Sequence, residues 1–212
     1  IAFAMLWVAG ARSLHLIASG LLVLPVVALS LYASPYQMRR IMSFVESADT
    51  QGSSYQVTQS LLALGSGGFL GVGLGNSMQK QQFLPAPHTD FVFSFIGEEL
   101  GLAGTLSIVG LFAALAIHGL KISRQTPSYY GFLVATGITV MISIYAMLNI
   151  GVATGVLPTT GLPLPFISYG GSSLVWNLAG VGVLIGVARD NGRAARLASS
   201  SGSGGRLALN AV

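Results

Sequence analysis

Three of the six acidic residues in this 212-residue chain, Asp90, Glu98 and Glu99, stand just before or at the start of a long apolar stretch. A carboxylate near a membrane surface is costly unless it is hydrated, paired or used, so each is a candidate functional group. The chemistry such a group offers is proton transfer. Two structural alternatives stay open. Asp90 could cap a helix that begins at Phe91, and the glutamate pair could form a solvated or arginine-paired helix face.

Basic residues in the same region suit a phosphate ligand. Arg39 and Arg40 carry guanidinium groups, which bind phosphate oxygens in a forked geometry, and Lys80 adds a point charge after a glycine-rich stretch. The alternative for these cations is anchoring to lipid headgroups. His88 suits a proton shuttle because histidine titrates near neutrality, although a lone histidine is more often a hydrogen-bonded structural residue.

A second region, residues 158–173, combines hydroxyl groups with helix-breaking residues. Its three prolines and three glycines preclude one continuous helix. Non-helical backbone at membrane depth is tolerated only where it is buried in protein or lines a wet cavity. We therefore expect a re-entrant wall of a site here. A plain tight connection between two helices is the alternative.

Composition indicates which elements must position these groups. The chain is 52% hydrophobic and 8% charged, with a mean hydropathy of +0.73, whereas an ordinary globular chain is about one-quarter charged. Lipid must therefore cover much of the exterior. The absence of cysteine excludes disulfides and thiol catalysis. The net charge of +4 does not indicate nucleic acid binding, because the basic residues lie in small groups beside apolar segments, as membrane loops do.

The apolar segments predict an all-α polytopic membrane protein. Spans of roughly 20 apolar residues are expected at about 1–9 (a partial span), 14–34, 100–120, 131–157 and 174–187. The chain opens inside an apolar run without an initiator methionine, so we expect the C-terminal membrane part of a longer protein. Residues 191–212 are rich in Ser, Gly, Ala and Arg and are expected to form a disordered cytoplasmic tail.

Loop charges predict the orientation of these spans. Lysine and arginine accumulate in short cytoplasmic loops, which marks Arg12, the Lys121/Arg124 pair and the Arg189/Arg193/Arg196 cluster as cytoplasmic. The loops at about 35–99 and 158–173 then face outside. Within the longer loop, Tyr55 to Leu64 reads as an amphipathic helix, followed by a glycine-rich stretch that suits tight turns.

Five blocks of sequence resemble the SEDS family of membrane proteins, in the same order. They are YQVTQS (55–60), GLGNSMQK (73–80), HTDF (88–91), GEELG (97–101) and PLPFISYGGSS (163–173). The similarity covers roughly Tyr32 to Arg189. The first two blocks are closer to the FtsW branch than to RodA, and SpoVE is also close. At Gln82 and Thr160 the chain departs from the FtsW pattern, which often has an acid and a lysine there.

The resemblance implies a ten-helix bundle with a long structured external loop, acting as a peptidoglycan glycosyltransferase. Such an enzyme would polymerise lipid II, a disaccharide-pentapeptide on undecaprenyl pyrophosphate, at the external face of the bacterial cytoplasmic membrane during cell division. The HTDF block maps the catalytic carboxylate to Asp90. The side chains expected to bind substrate are Arg39, Arg40, Lys80, His88, Thr89, Glu98, Glu99, Ser168, Tyr169 and Ser172.

The resemblance also implies partners and leaves one cofactor question open. The departing pyrophosphate would be stabilised by the basic side chains or by a divalent cation, Mg²⁺ or Mn²⁺. A class B penicillin-binding transpeptidase and other division proteins would be the partners. The alternatives are a lipid II translocator, a RodA-like or SpoVE-like polymerase for elongation or sporulation, and a scaffold. A translocator should line the midplane with charge, whereas these acids and cations gather toward one surface.

Overall fold

The computed structural model describes residues 1–34, 38, 53–73, 75 and 91–209. In this part of the chain all regular structure is helical, in the order α1 (Ala2–Val8), α2 (Ser13–Ala33), α3 (Ser53–Ser66), α4 (Val92–Arg124), α5 (Tyr129–Ala153) and α6 (Gly171–Leu209). Four segments are long and apolar enough to cross a membrane: Ser13–Ala33, Val92–Arg124, Tyr129–Ala153 and Gly171–Arg193. The prediction of an all-α polytopic membrane protein is confirmed.

The helix bounds differ from the expected spans mainly at α4 and α6. α4 begins at Val92, inside the stretch assigned to the external loop, and carries Glu98 and Glu99 in its first turns. α5 ends at Ala153, before the expected 157, because Gly155 takes a positive φ of 70°. α6 begins at Gly171 and continues to Leu209, through most of the segment expected to be a disordered tail. Alanine, arginine and leucine just after residue 193 favour such a continuation.

The packed centre of the described chain lies between α3, α4 and α5. Phe93, Ala146, Ala153 and Leu164 are buried together. A second group, Phe91, Phe95 and Val152, lies beside it. By contrast, α2 has no buried residue within the described chain, which suits an apolar helix whose sides face lipid or other helices.

Small and hydroxyl-bearing residues let α4 and α5 approach closely. The hydroxyls of Ser123 and Thr136 are hydrogen-bonded to each other. A Cβ added at Gly119 would lie 2.2 Å from Oγ1 of Thr139, which is itself buried. Close packing of small residues is the usual source of helix association in lipid.

Six basic side chains of the described residues collect at one end of the bundle. Asn191 Nδ2 donates to Ile122 O and to Thr126 Oγ1, at 3.0 Å each, which joins α6 to the turn between α4 and α5. Tyr129 Oη donates to Ala9 O at 3.0 Å, which joins the same turn to the end of α1. We call this the basic end; its cations are Arg12, Lys121, Arg124, Arg189, Arg193 and Arg196.

The approach of α4 and α5 generates a prediction about stability. Gly119→Ala should lower the free energy of unfolding by about 1–3 kcal/mol, because overpacking a close contact forces backbone or side-chain shifts. Gly110→Ala in the same helix meets no atom within 4 Å. This control should be neutral or gain up to about 1 kcal/mol from helix propensity. Unfolding of the purified protein in detergent measures both, and equal stabilities would contradict the packing.

Candidate functional site

Helix α4 is broken at Gly101, whose φ of 67° and ψ of −162° are not helical. In an unbroken helix, the amides of Leu102 and Ala103 would donate to carbonyls four residues earlier. Here Leu102 N donates to Gly68 O at 2.9 Å and Ala103 N donates to Phe69 O at 3.3 Å. A segment thirty residues away in sequence therefore takes the place of the helix's own acceptors.

The same segment also supplies donors to the other side of the break. Val72 N donates to Glu98 O at 2.9 Å, and Gly73 N donates to Glu99 O at 3.1 Å. The segment Gly67–Gly73 thus makes four backbone hydrogen bonds with α4, two above the break and two below it. We call this arrangement the glycine clamp.

At two positions of the clamp, a left-handed backbone conformation and a close backbone contact together require glycine. Gly71 has φ +79°, and a Cβ there would lie 2.1 Å from Glu99 O. Gly101 has φ +67°, and a Cβ there would lie 2.4 Å from Gly71 N. Left-handed backbone is unfavourable for other residues, and contacts this short would drive the two segments apart. The glycine-rich stretch therefore serves close backbone approach as well as turning.

Glu98 and Glu99 lie in the last turn before the break. The Glu98 side chain is buried, with 3% of its surface exposed, and Glu99 is half-buried. Successive residues of a helix point about 100° apart, so the two carboxylates leave α4 on different sides. The burial of Glu98 does not fit the alternative of a solvated helix face, because a buried charge requires polar partners.

A buried hydroxyl ties the helix α3 to the start of α4. Ser60 is fully buried; its Oγ donates to Ala153 O at 2.6 Å and is hydrogen-bonded to the hydroxyl of Ser94. Three helices, α3, α4 and α5, meet at this one side chain. Phe91, 3% exposed, packs with Phe95 and Val152 and is the N-cap residue of α4. The helix therefore begins one residue after the start at Phe91 that capping by Asp90 would require.

The loop 158–170 is held by its own hydrogen bonds and by α5. Asn149 Nδ2 donates to Leu162 O at 2.8 Å. Leu164 N donates to Ser168 Oγ at 2.7 Å, and Ser168 N donates to Leu164 O at 3.0 Å. Phe166 takes a positive φ of 66°, a strained conformation that persists only where its surroundings impose it.

This loop descends along α4 rather than passing over the helix ends. Pro165, Phe166 and Ile167 line a cavity of about 190 Å³ together with Ile108, Leu111, Phe112 and Leu115. At 1.5 Å per residue, those helix residues lie about 10 to 20 Å beyond the break at Gly101. The loop therefore packs along α4, as a re-entrant path would, and does not form a plain tight connection.

A larger cavity, of about 370 Å³, opens between the loop, α5 and α6. Its walls combine aromatic and apolar groups with a few polar ones, which is typical of binding clefts. The lining residues are Met141, Tyr145, Leu162, Pro163, Pro165, Ser173, Trp176 and Asn177.

The predicted site residues fall into three groups. Glu98 and Glu99 lie at the clamp, and Ser168 is buried inside its own loop. Tyr169 is 83% exposed, and Ser172 is exposed in the first turn of α6. The remaining predicted residues lie outside the described residues: Arg39, Arg40, Lys80, His88, Thr89 and Asp90.

Sequence reasoning missed the contacts that Gly71, Gly101, Ser60 and Asn149 make. The spacing of the glycines predicts tight turns, but it does not predict which segment packs against them. For Ser60 the only signal is its place as the last residue of the YQVTQS block. Among the described residues, no group of three or more His, Cys, Asp or Glu could hold a metal ion. The described residues therefore offer no set of ligands for the expected Mg²⁺ or Mn²⁺.

Comparison with known proteins finds a matching family model and several similar relatives. The FtsW/RodA/SpoVE family model, described as "Cell cycle protein", matches residues 1–193. Stage V sporulation protein E of Bacillus subtilis (strain 168) is 47% identical over 186 residues, which cover 87% of this chain and 51% of that protein. A protein named probable peptidoglycan glycosyltransferase FtsW, from Aeromonas salmonicida (strain A449), is 46% identical over 186 residues, covering 85% and 47%.

A solved structure supports the same relationship. A chain from the structure titled "Structural coordination of polymerization and crosslinking by a peptidoglycan synthase complex" aligns with a TM-score of 0.69 and 31% identity. The alignment covers 89% of this chain and 53% of that one. The chain thus spans about half the length of the relatives that it matches.

The buried hydroxyl at the start of α4 generates a prediction. Ser60→Ala should lower the free energy of unfolding by about 1–3 kcal/mol, because it leaves buried polar partners unsatisfied. Ser107→Ala is the control: that exposed hydroxyl bonds only to Ala103 O in its own helix, and its loss should cost less than about 0.5 kcal/mol. Unfolding midpoints in detergent measure the difference, and a Ser60 variant as stable as the control would contradict the three-helix contact.

Proposed function

Because the chain belongs to the FtsW/RodA/SpoVE family of cell cycle proteins, we propose that it forms the catalytic C-terminal part of a glycosyltransferase that polymerises lipid II during cell division. The observation that supports this most is its match to relatives named probable peptidoglycan glycosyltransferase FtsW, at 40 to 46% identity. The HTDF block that carries the candidate base lies within the residues matched by the family model.

Asp90 is the proposed general base. It would take the proton of the attacking sugar hydroxyl as that oxygen bonds to the anomeric carbon of the second substrate and the bond to pyrophosphate breaks. The pyrophosphate leaves with its own negative charge, so no strong protein acid is required. Arg39, Arg40 and Lys80 would stabilise that charge. A bound Mg²⁺ or Mn²⁺ would supply further charge neutralisation there.

The described residues support a site at the end of the bundle opposite the basic end. Phe91, which follows Asp90 in sequence, is locked in the core, and the clamp fixes Glu98 and Glu99 two turns later. His88 and Thr89 would contact substrate beside the base. Tyr169 and Ser172 present exposed hydroxyls for the sugar or peptide, whereas Ser168 would act by shaping its loop.

A lipid II translocator is the alternative from another class. No Asp, Glu, Lys or Arg occurs in residues 102–120, 129–153 or 171–188. A path for a pyrophosphate headgroup through these helices would need charged or strongly polar groups near the midplane. The spans of this chain therefore favour the enzyme. A scaffold role alone would leave Asp90 without a purpose.

Location, partner and cellular role follow from the same proposal. The protein would lie in the bacterial cytoplasmic membrane, with the basic end inside and the site outside. A class B penicillin-binding transpeptidase is the proposed partner, supported by the peptidoglycan synthase complex that contains a similar chain. Two alternatives to a role in division remain. The 47% identity to a sporulation protein supports a SpoVE-like role, and membership of the family is equally compatible with a RodA-like role.

Asp90→Asn in the full-length protein tests the proposed chemistry. Asparagine is nearly isosteric but cannot accept the proton, and loss of a general base typically costs about 10²- to 10⁴-fold in rate. Glycan formation from labelled lipid II should fall accordingly, while the amount of protein in the membrane persists. Asp190→Asn makes the same change at the exposed basic end and should leave the rate unchanged. More than about a tenth of the normal rate in Asp90→Asn would refute the base assignment.

Thiol labelling tests the orientation. The chain contains no cysteine, so single cysteines at the exposed positions Gln125 and Thr160 report their own location. Because cationic loops stay inside, Thr160→Cys should react with a membrane-impermeant maleimide on cells whose outer barrier is opened. Gln125→Cys should react only after the cytoplasmic membrane is permeabilised. The reverse pattern would put the site on the cytoplasmic side and defeat the proposal.

A further inference from the structure

The amides and carbonyls on either side of the break in α4 could be hydrogen-bonded in two different ways. A continuous helix through Gly101 would pair the amides of residues 102 and 103 with the carbonyls of Glu98 and Glu99. It would also leave the donors of Val72 and Gly73 without those acceptors. The clamp satisfies both segments with four hydrogen bonds. Unpaired backbone groups are disfavoured at membrane depth, so the clamped form is favoured only while the two segments stay in close contact.

Close contact depends on glycine at two facing positions. A Cβ on Gly71 would meet the carbonyl of Glu99, and a Cβ on Gly101 would meet the amide of Gly71. The obstructing atoms are backbone atoms, which cannot swing away as a side-chain end can. No neighbouring change of rotamer would restore the four hydrogen bonds.

The clamp acts directly on the two acids of the site. The carbonyls that accept from Val72 and Gly73 belong to Glu98 and Glu99 themselves. Straightening the helix at Gly101 would rotate the turn that carries both carboxylates, and Glu98 would leave its buried position. Phe91 lies about 12 Å from Glu99 along the same helix segment, so the attachment point of the HTDF block moves with this turn.

We propose that Gly71 and Gly101 are positioning residues of the glycosyl-transfer site, holding the turn that bears Glu98 and Glu99 through the clamp. This inference rests on the proposed function. A positioning role predicts loss of turnover more than loss of substrate binding, because a displacement of about 1 Å can cost about 100-fold in rate.

The first test compares Gly71→Ala with Gly75→Ala in the full-length protein. Both glycines have a positive φ, of 79° and 82°, but Gly75 lies outside the clamp and a Cβ there meets nothing within 4 Å. Gly71→Ala should speed hydrogen exchange in peptides covering residues 67–73 and 101–104 and lower kcat for lipid II about 100-fold, with a smaller change in KM. Gly75→Ala should keep wild-type exchange in those peptides and kcat within about threefold, since it bears only the shared backbone strain. Rates are normalised to the monodisperse fraction from size exclusion.

A second pair of variants, at Leu102, tests the clamp independently in case Gly71→Ala does not fold. Leu102 is the first residue after the break, where proline is well tolerated at a helix start. Leu102→Pro removes the one amide that donates to Gly68 O, whereas Leu102→Ala removes the same exposed side chain and keeps the amide. Leu102→Pro should lower kcat at least tenfold relative to Leu102→Ala, with both proteins recovered in the membrane.

The possible outcomes distinguish failure of the positioning role from failure of the proposed glycosyltransferase function. Wild-type protein that makes no glycan from lipid II would overturn the proposed function and the positioning role with it. Active wild type, with Gly71→Ala matching Gly75→Ala in kcat, would overturn the positioning role alone. Unchanged exchange in Gly71→Ala would show that the clamp itself is absent.

Discussion

The pairing of the Gly67–Gly73 segment with the break at Gly101 is the contact on which the described structure depends. Lipid offers no hydrogen bonds to an interrupted helix, so each free amide and carbonyl must find a partner in the protein. Four backbone hydrogen bonds meet that need. They fix α3 against α4, and Ser60 then extends the contact to α5 through Ala153 O. The re-entrant loop packs on the same core, where Leu164 meets Phe93.

This arrangement gives the two ends of the bundle different characters. The basic end carries lysine and arginine on short connections joined by the hydrogen bonds of Asn191 and Tyr129. The opposite end carries the clamp, the re-entrant loop and the acids of GEELG. The acids of GEELG and the cations of the basic end thus lie at opposite ends, while the helices between remain apolar. The proposed glycosyltransferase, which would draw lipid-borne sugars from one face of a membrane, would need such a separation.

Much of the helical architecture could be predicted from the sequence because apolar run length is a local signal. The span expected at 14–34 corresponds to Ser13–Ala33. The start of α4 was placed too late because Glu98 and Glu99 resemble a water-exposed boundary. In the structure Glu98 is buried next to the break, and that burial arises from α3, which no local pattern reveals.

The candidate site, like the fold, could be predicted from the sequence only in part. Prolines and glycines in residues 158–173 predict an interrupted helix, and the structure has a non-helical loop at 158–170 before α6 begins at Gly171. This loop packs along α4, as the rule on backbone in lipid leads one to expect. The partner of Gly71 could not be predicted, since it depends on a contact across about thirty residues of sequence. The hydroxyl of Ser168, which the sequence predicts to bind substrate, accepts a hydrogen bond from Leu164 N inside its own loop, and no local pattern reveals that contact. Asp90, which the sequence singled out, lies outside the described residues.

The most direct test of the clamp is the partner of the Glu98 carbonyl, measured by solid-state NMR in lipid bilayers. Protein carrying ¹³C at the Glu98 carbonyl and ¹⁵N at Val72 should show dipolar coupling for a carbon–nitrogen distance of about 4 Å, as a hydrogen bond of this geometry requires. A sample with ¹⁵N at Leu102 instead should show the weaker coupling. Strong coupling to Leu102 and none to Val72 would mean that α4 runs unbroken through Gly101, which would contradict the account.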